Sequence, residues 1–462
     1  MAKKQVSAPL PAPPARPPYM LIEEIRVQGY KSLVDATLHV RPLTLLAGTN
    51  SSGKSSIMQP LLLIKQTMEA PYQPAGALVL DGAHVQAETA GELVSKVGEL
   101  KPIKLIISVC GFNINEQNIK SIFMEMAYNL VGEINFSIES QTNAISAVSD
   151  KKMILKPTMS WNEITVQLTN IQAIQEPFRQ LFESFGGSVR QSAGLLEAVI
   201  NNPDGGNNFV LDGTVNLRNS LTTLFHIPGL RGGPTRSYVA TSFQNQVKGT
   251  FDIYTAGTIS QWQQQENTKA LAKLNDNLRR LGLTDSVTAK VKNANEVELS
   301  VNRLPAGSKG KPRKADMVNI ADVGIGVSQV LPILVALIAA QEGQIVYVEQ
   351  PELHLHPKAQ VVMAELLAEA ANRGVRVIVE THSSLLLLTV QTLVAEGELK
   401  PEDVGLHWFT RDAKGQTQVK LADVDANGAY GPWPEDFGDV ELTAQARYLD
   451  AQTRNNIKHS NA

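Results

Sequence analysis

Residues 48–56 read GTNSSGKSS, and this stretch restricts the fold more than any other in the chain. Its spacing is G-x-x-x-x-G-K-[ST], the pattern of a phosphate-binding loop. Gly48 and Gly53 let the backbone turn tightly enough for successive N–H groups, from Asn50, Ser51 and Ser52 on to Ser56, to point at one spot. Lys54 adds a point charge for the β- and γ-phosphates, and Ser55 offers its hydroxyl to Mg²⁺. The flanks are those the motif requires. Leu43 to Ala47 has the apolar run of a buried parallel strand. After the loop, SSIMQPLLLIKQTME reads as a helix with Ile57, Leu61, Ile64 and Met68 on one face.

At 462 residues the chain allows about two or three domains. Hydrophobic residues make up 43% and charged residues 19%, enough apolar material for a large core. The net charge of −3 supplies no global field toward nucleic acid, so any such contact must be local. A single cysteine, Cys110, lies in an apolar stretch and cannot form an internal disulfide. The most apolar segment, 327–340, is too short to span a membrane and carries Ser328, Gln329 and Pro332. With no apolar leader at the start, a cytoplasmic protein without membrane contact is expected. Residues 1–18 are proline-rich and read as a disordered or polyproline-like tail.

In chain order, residues 20–41 alternate as two strands joined at Gly29 to Leu33. Between 72 and 170, the runs VLDGAHVQ, KPIKLIISVCGF, SIFMEMAYNL, EINFSIES and EITVQLTN predict short strands of a largely antiparallel sheet. Residues 171–226 predict helices over IQEPFRQLFESF, GSVRQSAGLLEAVINN and VNLRNSLTTLF, with NNPDGGNN as a turn. One amphipathic helix is expected over 259–283, its Leu271, Leu274, Leu278 and Leu281 stripe packing within the chain. In 225–238, Arg231 and Arg236 lie among Gly and Pro. They are either charges aimed at phosphate or a neighbouring subunit, or solvated arginines of a surface loop. Residues 286–303 predict a β-hairpin. Lys309, Lys311, Arg313 and Lys314 follow as a nucleic-acid contact or a mobile solvated loop.

Two further stretches can serve a bound nucleotide. Gly324, Gly326 and Ser328 open an apolar helix and place N–H groups and a hydroxyl at its N-terminus, an anion site. In GQIVYVEQPELHLHPKAQ, a buried strand ends at Glu349, whose carboxylate can hold the water shell of Mg²⁺. GVRVIVETHSS is a second buried strand, ending at Thr381, His382 and Ser383. Glu380 there orients a water or simply ends the strand.

Taken with these motifs, I-R-V-Q-G-Y-K-S-L at 25–33 resembles the opening of RecF, OLD and SMC-type ATPases, and E-Q-P-E-L-H-L-H-P resembles their hhhEEPExHLHP segment. The resemblance is strongest at 22–69 and 317–390. It implies an α/β fold: an ABC-type P-loop ATPase core split by a β-rich and helical insertion. The implied divisions are a tail at 1–18, the N-terminal half of the core at 19–71, an antiparallel β subdomain at 72–170, a helical insertion at 171–285 and the C-terminal half at 286–462. ATP and Mg²⁺ are the implied cofactors, with Ser55 and Glu349 at the metal. Gln350 stands where the family has its hydrolytic glutamate, so hydrolysis is expected to be slow, with Glu352 as a substitute. His382 matches the switch histidine that hydrogen-bonds the γ-phosphate. His354 and His356 lie in a segment that crosses between subunits in the family, which speaks against a metal role. Gly324, Gly326 and Ser328 correspond to the signature element, which completes the nucleotide site of a second copy in a head-to-tail dimer. Asp423 and Asp425 leave too little chain for a TOPRIM nuclease domain, and Trp433–Pro434 is similar to the family's closing turn. Stand-alone ATPases of PARIS and Septu type suggest ATP-gated control of a separate nuclease or toxin in anti-phage defence. The alternative is a RecF-like DNA-repair ATPase that contacts DNA directly.

Overall fold

The computed structural model describes residues 21–71, 76–97, 103–110, 112–114, 117–119, 122–132, 134–145, 152–169, 187–192, 195–200, 209–210, 214–242, 246–303, 316–431, 446–450 and 452. The proline-rich tail, the expected helix over 174–185, the NNPDGGNN turn, the basic cluster from Lys309 to Lys314 and Trp433–Pro434 lie outside these residues.

The elements are β1 (Leu21–Tyr30), β2 (Leu33–His39), β3 (Leu43–Gly48), α1 (Gln59–Glu69), β4 (Ile103–Cys110), β5 (Phe112–Ile114), β6 (Gln117–Ile119), β7 (Ile122–Val131), β8 (Asn135–Ile145), β9 (Lys152–Leu155), α2 (Trp161–Thr169), β10 (Gly187–Ser192), β11 (Leu195–Ile200), β12 (Phe209–Val210) and α3 (Thr214–Thr222). There follow β13 (Phe225–Ile227), β14 (Tyr238–Val239), α4 (Thr255–Gln264), α5 (Thr268–Arg280), β15 (Val287–Asn293), β16 (Glu296–Asn302), β17 (Met317–Asn319), α6 (Ile325–Ala339), β18 (Ile345–Glu349), α7 (Pro357–Asn372), β19 (Arg376–Glu380), α8 (Ser384–Ala395), β20 (Val404–Arg411) and β21 (Thr417–Asp423).

The phosphate-loop strand β3 lies inside a six-stranded sheet of order β13-β18-β19-β3-β20-β21. Its first five strands are parallel and β21 closes one edge antiparallel. Because both faces are covered, these strands carry near-continuous apolar runs, and their period of two sorts side chains between layers. Leu43, Leu45, Val346, Val348, Val377 and Val379 pack toward α4–α8. Leu46, Ile345, Tyr347 and Ile378 pack toward α1 and the second sheet. That second sheet is antiparallel, of order β2-β1-β4-β7-β8-β9. Smaller sheets join β10-β11-β12 and β14-β16-β15, with β17 on β16.

Helix α1 sits between the layers. Ile57, Leu61 and Ile64 are buried as their spacing predicts, but so are Leu62, Leu63, Lys65, Gln66 and Thr67. A helix covered all round must satisfy its polar side chains internally. Gln66 does so by holding the segment 79–85: its amide donates to the carbonyls of Val79 and Val85 and accepts from the N–H of Val85. Thr67 accepts from the N–H of Val79.

Those contacts explain one departure from expectation. VLDGAHVQ is not a strand; only the single bridge Asp81↔Gln86 forms, because side chains of α1 take up its backbone groups. EITVQLTN is not a strand either. Its residues 163–169 lie in α2, where Ser160 and Glu163 form a reciprocal capping box that starts the helix. In GSVRQSAGLLEAVI, residues 187–192 and 195–200 are not helical but the pair β10–β11. Buried Gln141 on β8 bonds both the N–H and the carbonyl of Leu196, a tertiary contact that favours extended backbone there. The long helix expected over 259–283 is broken in two. Glu266 takes φ 53° and Asn267 caps α5 by accepting from the N–H of Ala270. The leucine stripe packs inward as expected, with Leu274, Leu278 and Leu281 buried and Leu271 against them.

Candidate functional site

The loop 48–55 is held from below by strands distant in sequence. A Cβ on Gly48 would stand 2.0 Å from the carbonyl oxygen of Phe409, so no side chain fits where β3 meets β20. Gly53, at φ +97°, is pressed against Thr417 in the same way. The Thr417 hydroxyl donates to the carbonyl of Ser52 at 2.8 Å and meets Ser32, in the β1–β2 turn, at 2.8 Å. The turn of the IRVQGYKSL segment therefore braces the phosphate loop. Lys54 folds over the loop and donates to the carbonyls of Gly48 at 3.0 Å and Thr49 at 2.8 Å. Burial lowers its pKa, with Glu380 and Glu352 pulling the other way.

The sheet order sets β19 between β3 and β18, and Glu349 pairs in register with Glu380. Glu380 lies beside the phosphate loop. It is 4% exposed, hydrogen-bonds the Ser55 side chain, and accepts from Tyr347 Oη at 3.3 Å. Burial raises its pKa and the neighbouring Glu349 adds to the rise, against Ser55 and Lys54. Glu349 accepts from the Gly229 N–H at 3.0 Å and faces His226 Nε2 at 3.3 Å. Burial opposes its ionisation, but these contacts outweigh it and hold its pKa below the usual range.

Beside this pair a cleft of about 380 Å³ is lined by Gln350, Glu352, Leu353, Gln360, His382, Ser383, Ser384 and Leu385. The structure thus brings three of the expected catalytic residues together. Gln350 adopts φ 45°, donates its N–H to the Glu380 carbonyl at 2.7 Å, and has its side-chain oxygen beside Gly229. Glu352 points back into the site, where one carboxyl oxygen accepts from the His382 N–H at 2.7 Å. The other is buried without a hydrogen-bond partner. Burial raises the Glu352 pKa despite the bonds from His382 and Thr381. Burial lowers that of His382, and Lys54 lowers it further, both disfavouring the charged ring.

Helix α6 starts at Ile325, with Gly324 at its cap and no side-chain cap bond. Gly324 and Ile325 are exposed, Gly326 lies under the His354 carbonyl, and Ser328 donates back to the Ile325 carbonyl at 2.8 Å. His354 takes φ 64°, and His356 caps α7 by accepting from the Lys358 N–H.

Arg231 fits neither sequence reading. It is 7% exposed and clamps two elements, donating to the Gln329 carbonyl on α6 at 3.0 Å and to the carbonyls of Glu349 and Gln350 at 2.6 and 3.2 Å. Burial drops its pKa to about 10. Arg236 is exposed and pairs with Asp322, just before α6. Asp423 pairs with Arg41, and Asp425 accepts from the N–H groups of Asn427 and Ala429.

The donor chemistry fits a magnesium nucleotide. Ser52 Oγ is buried without a partner at the loop, Lys54 caps it, and Ser55, Glu349 and Glu380 supply the hard oxygens that Mg²⁺ prefers. Among the described residues no cluster of three or more His, Cys, Asp or Glu side chains could hold a metal by itself.

Sequence reasoning missed His84, His226 and the pair Lys65–Glu69, which stand behind Glu349. The available signal was a lysine and a glutamate four apart on a helix that opens with a continuous apolar run, Leu61 to Ile64.

Two family models match the chain. One, described as "AAA ATPase domain", covers 20–191 and so the phosphate loop. The other, described as "AAA domain, putative AbiEii toxin, Type IV TA system", covers 239–388, including α6, Glu349 and His382. No curated protein matches. Among solved structures, an SMC head bound to the C-terminal winged-helix domain of ScpA is 13% identical, with a TM-score of 0.46 over 88% of this chain and 98% of that one. The SMC head with an extended coiled coil bound to the C-terminal domain of ScpA, derived from Pyrococcus furiosus, is 12% identical (TM-score 0.46, 87% and 96% covered). The SMC head domain from Thermotoga maritima is 11% identical (TM-score 0.37, 88% and 100% covered). No helix among the described residues is long and apolar enough to cross a membrane. With the loop and the two carboxylate-bearing strands in place, and matched ATPase models over both, the chain is an α/β P-loop protein similar to AAA ATPase domains.

Proposed function

We propose that this protein binds and slowly hydrolyses ATP, and that ATP gates the pairing of two copies head-to-tail to control a separate effector, a nuclease or toxin, in anti-phage defence. The observation that carries the nucleotide reading is the convergence of Ser55, Glu380 and Glu349 beside a cleft that also holds Gln350, Glu352 and His382. Mg²⁺ bound at Ser55 and the two glutamates would neutralise charge on the phosphates. The chain's own groups do the rest. The loop N–H groups and Lys54 grip the phosphates. Gln350 can orient a water through its amide but cannot take a proton, which supports slow turnover. Glu352, with one carboxyl oxygen unpartnered and its basicity raised by burial, is a carboxylate in the cleft that can accept a proton. His382 offers its ring to the γ-phosphate side. The exposed start of α6 is free to meet the nucleotide of a second copy. Effector control is in keeping with the toxin–antitoxin description of the matched model over 239–388.

Lys54→Ala is expected to abolish binding of labelled ATP, and Gln350→Glu to speed hydrolysis by tenfold or more, on the order of a general-base contribution. Unchanged turnover in Gln350→Glu places the water-orienting residue elsewhere. Co-purification with a nuclease supports effector control. Salt-dependent binding of DNA by the isolated protein would favour the RecF-like alternative instead.

A further inference from the structure

Behind Glu349, away from the cleft, runs a line of buried charged and polar side chains. Glu349 faces His226 Nε2 at 3.3 Å. His226 Nδ1 lies 2.9 Å from His84 Nδ1, and His84 Nε2 lies 3.1 Å from Glu69 Oε2. Glu69 is paired with Lys65 at 2.8 Å and also accepts from the Gly249 N–H at 2.8 Å. Lys65 is fully buried and donates besides to the carbonyls of Leu221 and Val247. The line thus starts on α1, the helix that follows the phosphate loop, and ends on the Glu349 carboxylate. His226 is fixed on one face by Tyr347, whose ring stacks on it at 5.2 Å and 12° and whose hydroxyl reaches Glu380. Ordinary core packing does not require a string of polar side chains here, and leaving any one of them unpaired would be costly.

We propose that His226, anchored by His84, is a positioning residue that aims the Glu349 carboxylate for magnesium. The inference rests on reading the site as a magnesium–nucleotide site. A group that orients a metal-site carboxylate without touching the metal sets how readily that metal is held, by about 10–100-fold when removed. His84 ties this aim to Glu69, and so to the helix that carries the phosphate loop.

The test uses the full chain and the magnesium dependence of binding, not activity. An asparagine amide reproduces the Nδ1 side of a histidine and a glutamine amide the Nε2 side. His226→Gln therefore keeps a donor on Glu349, and His226→Asn keeps only the link to His84. Fluorescently labelled ATP is titrated with Mg²⁺, and thermal unfolding is followed in the same series. His226→Asn is expected to raise the half-saturating Mg²⁺ concentration by about tenfold or more, in both readouts. His226→Gln is expected to stay near wild type, and all proteins to bind labelled ATP equally in EDTA. His84→Gln keeps the Glu69 contact and drops the one to His226, so it shifts the midpoint in the same direction as His226→Asn and serves should the latter not fold. Equal midpoints for His226→Asn and His226→Gln, shifted or not, overturn the proposal, since a packing role does not distinguish the two amides. A wild-type protein that binds no labelled ATP at any Mg²⁺ concentration removes the nucleotide reading itself.

Discussion

Glu352 illustrates how a single carboxyl records its surroundings. Burial raises its pKa above the ordinary 4.5, so the native protein retains a proton that the unfolded chain releases. The native state is then favoured at low pH, and that advantage is lost as pH rises through the native pKa. Glu352→Gln keeps the shape and an acceptor for the His382 N–H, but has no proton to lose. It is expected to melt above wild type at pH 8, with the gap closing toward pH 4; an offset that does not vary with pH would refute this account. At this scale the sequence was readable where spacing alone defines chemistry: Gly48, Gly53, Lys54 and Ser55 stand at fixed intervals. It was silent where partners are far apart, since His84 and His226 meet across 142 positions. Glu380 was visible as a strand end, yet its closeness to Ser55 depends on the strand order, which no local pattern states.

Among elements, the parallel strands were legible because a strand covered on both faces must be apolar throughout. Helix α2 was misread as a strand from its apolar run, although the SWNE of residues 160–163 spells a capping box. Ser160→Ala removes one half of that box and is expected to cost about 1 kcal/mol of stability, read as a lower midpoint in chemical denaturation. No loss at all would mean that α2 owes its start to packing alone. Strands β10 and β11 are not legible locally, for Gln141 from another sheet holds Leu196 of β11, and β10 pairs onto β11. The break between α4 and α5 was legible in principle at Asn267, a good cap, but the leucine spacing hid it.

For the whole molecule, the reading of two copies closing on ATP makes a surface prediction. Ile325 is 45% exposed at the first position of α6, beside Gly324. Sedimentation with a slowly hydrolysed ATP analogue is expected to detect association of the wild-type chain. Ile325→Asp, which sets a negative charge and a lost apolar contact at that position, should bind ATP but remain monomeric. Association unaffected by this change would move the contact elsewhere. Arg231 gives such an assembly an internal consequence. One guanidinium bonds the carbonyl that ends β18, the next one at Gln350, and a carbonyl of α6. In the proposed dimer, a shift of α6 is therefore linked through Arg231 to the peptide of Gln350. Each copy of that dimer would thereby register through its own rim whether its twin is loaded, coupling the two nucleotide sites.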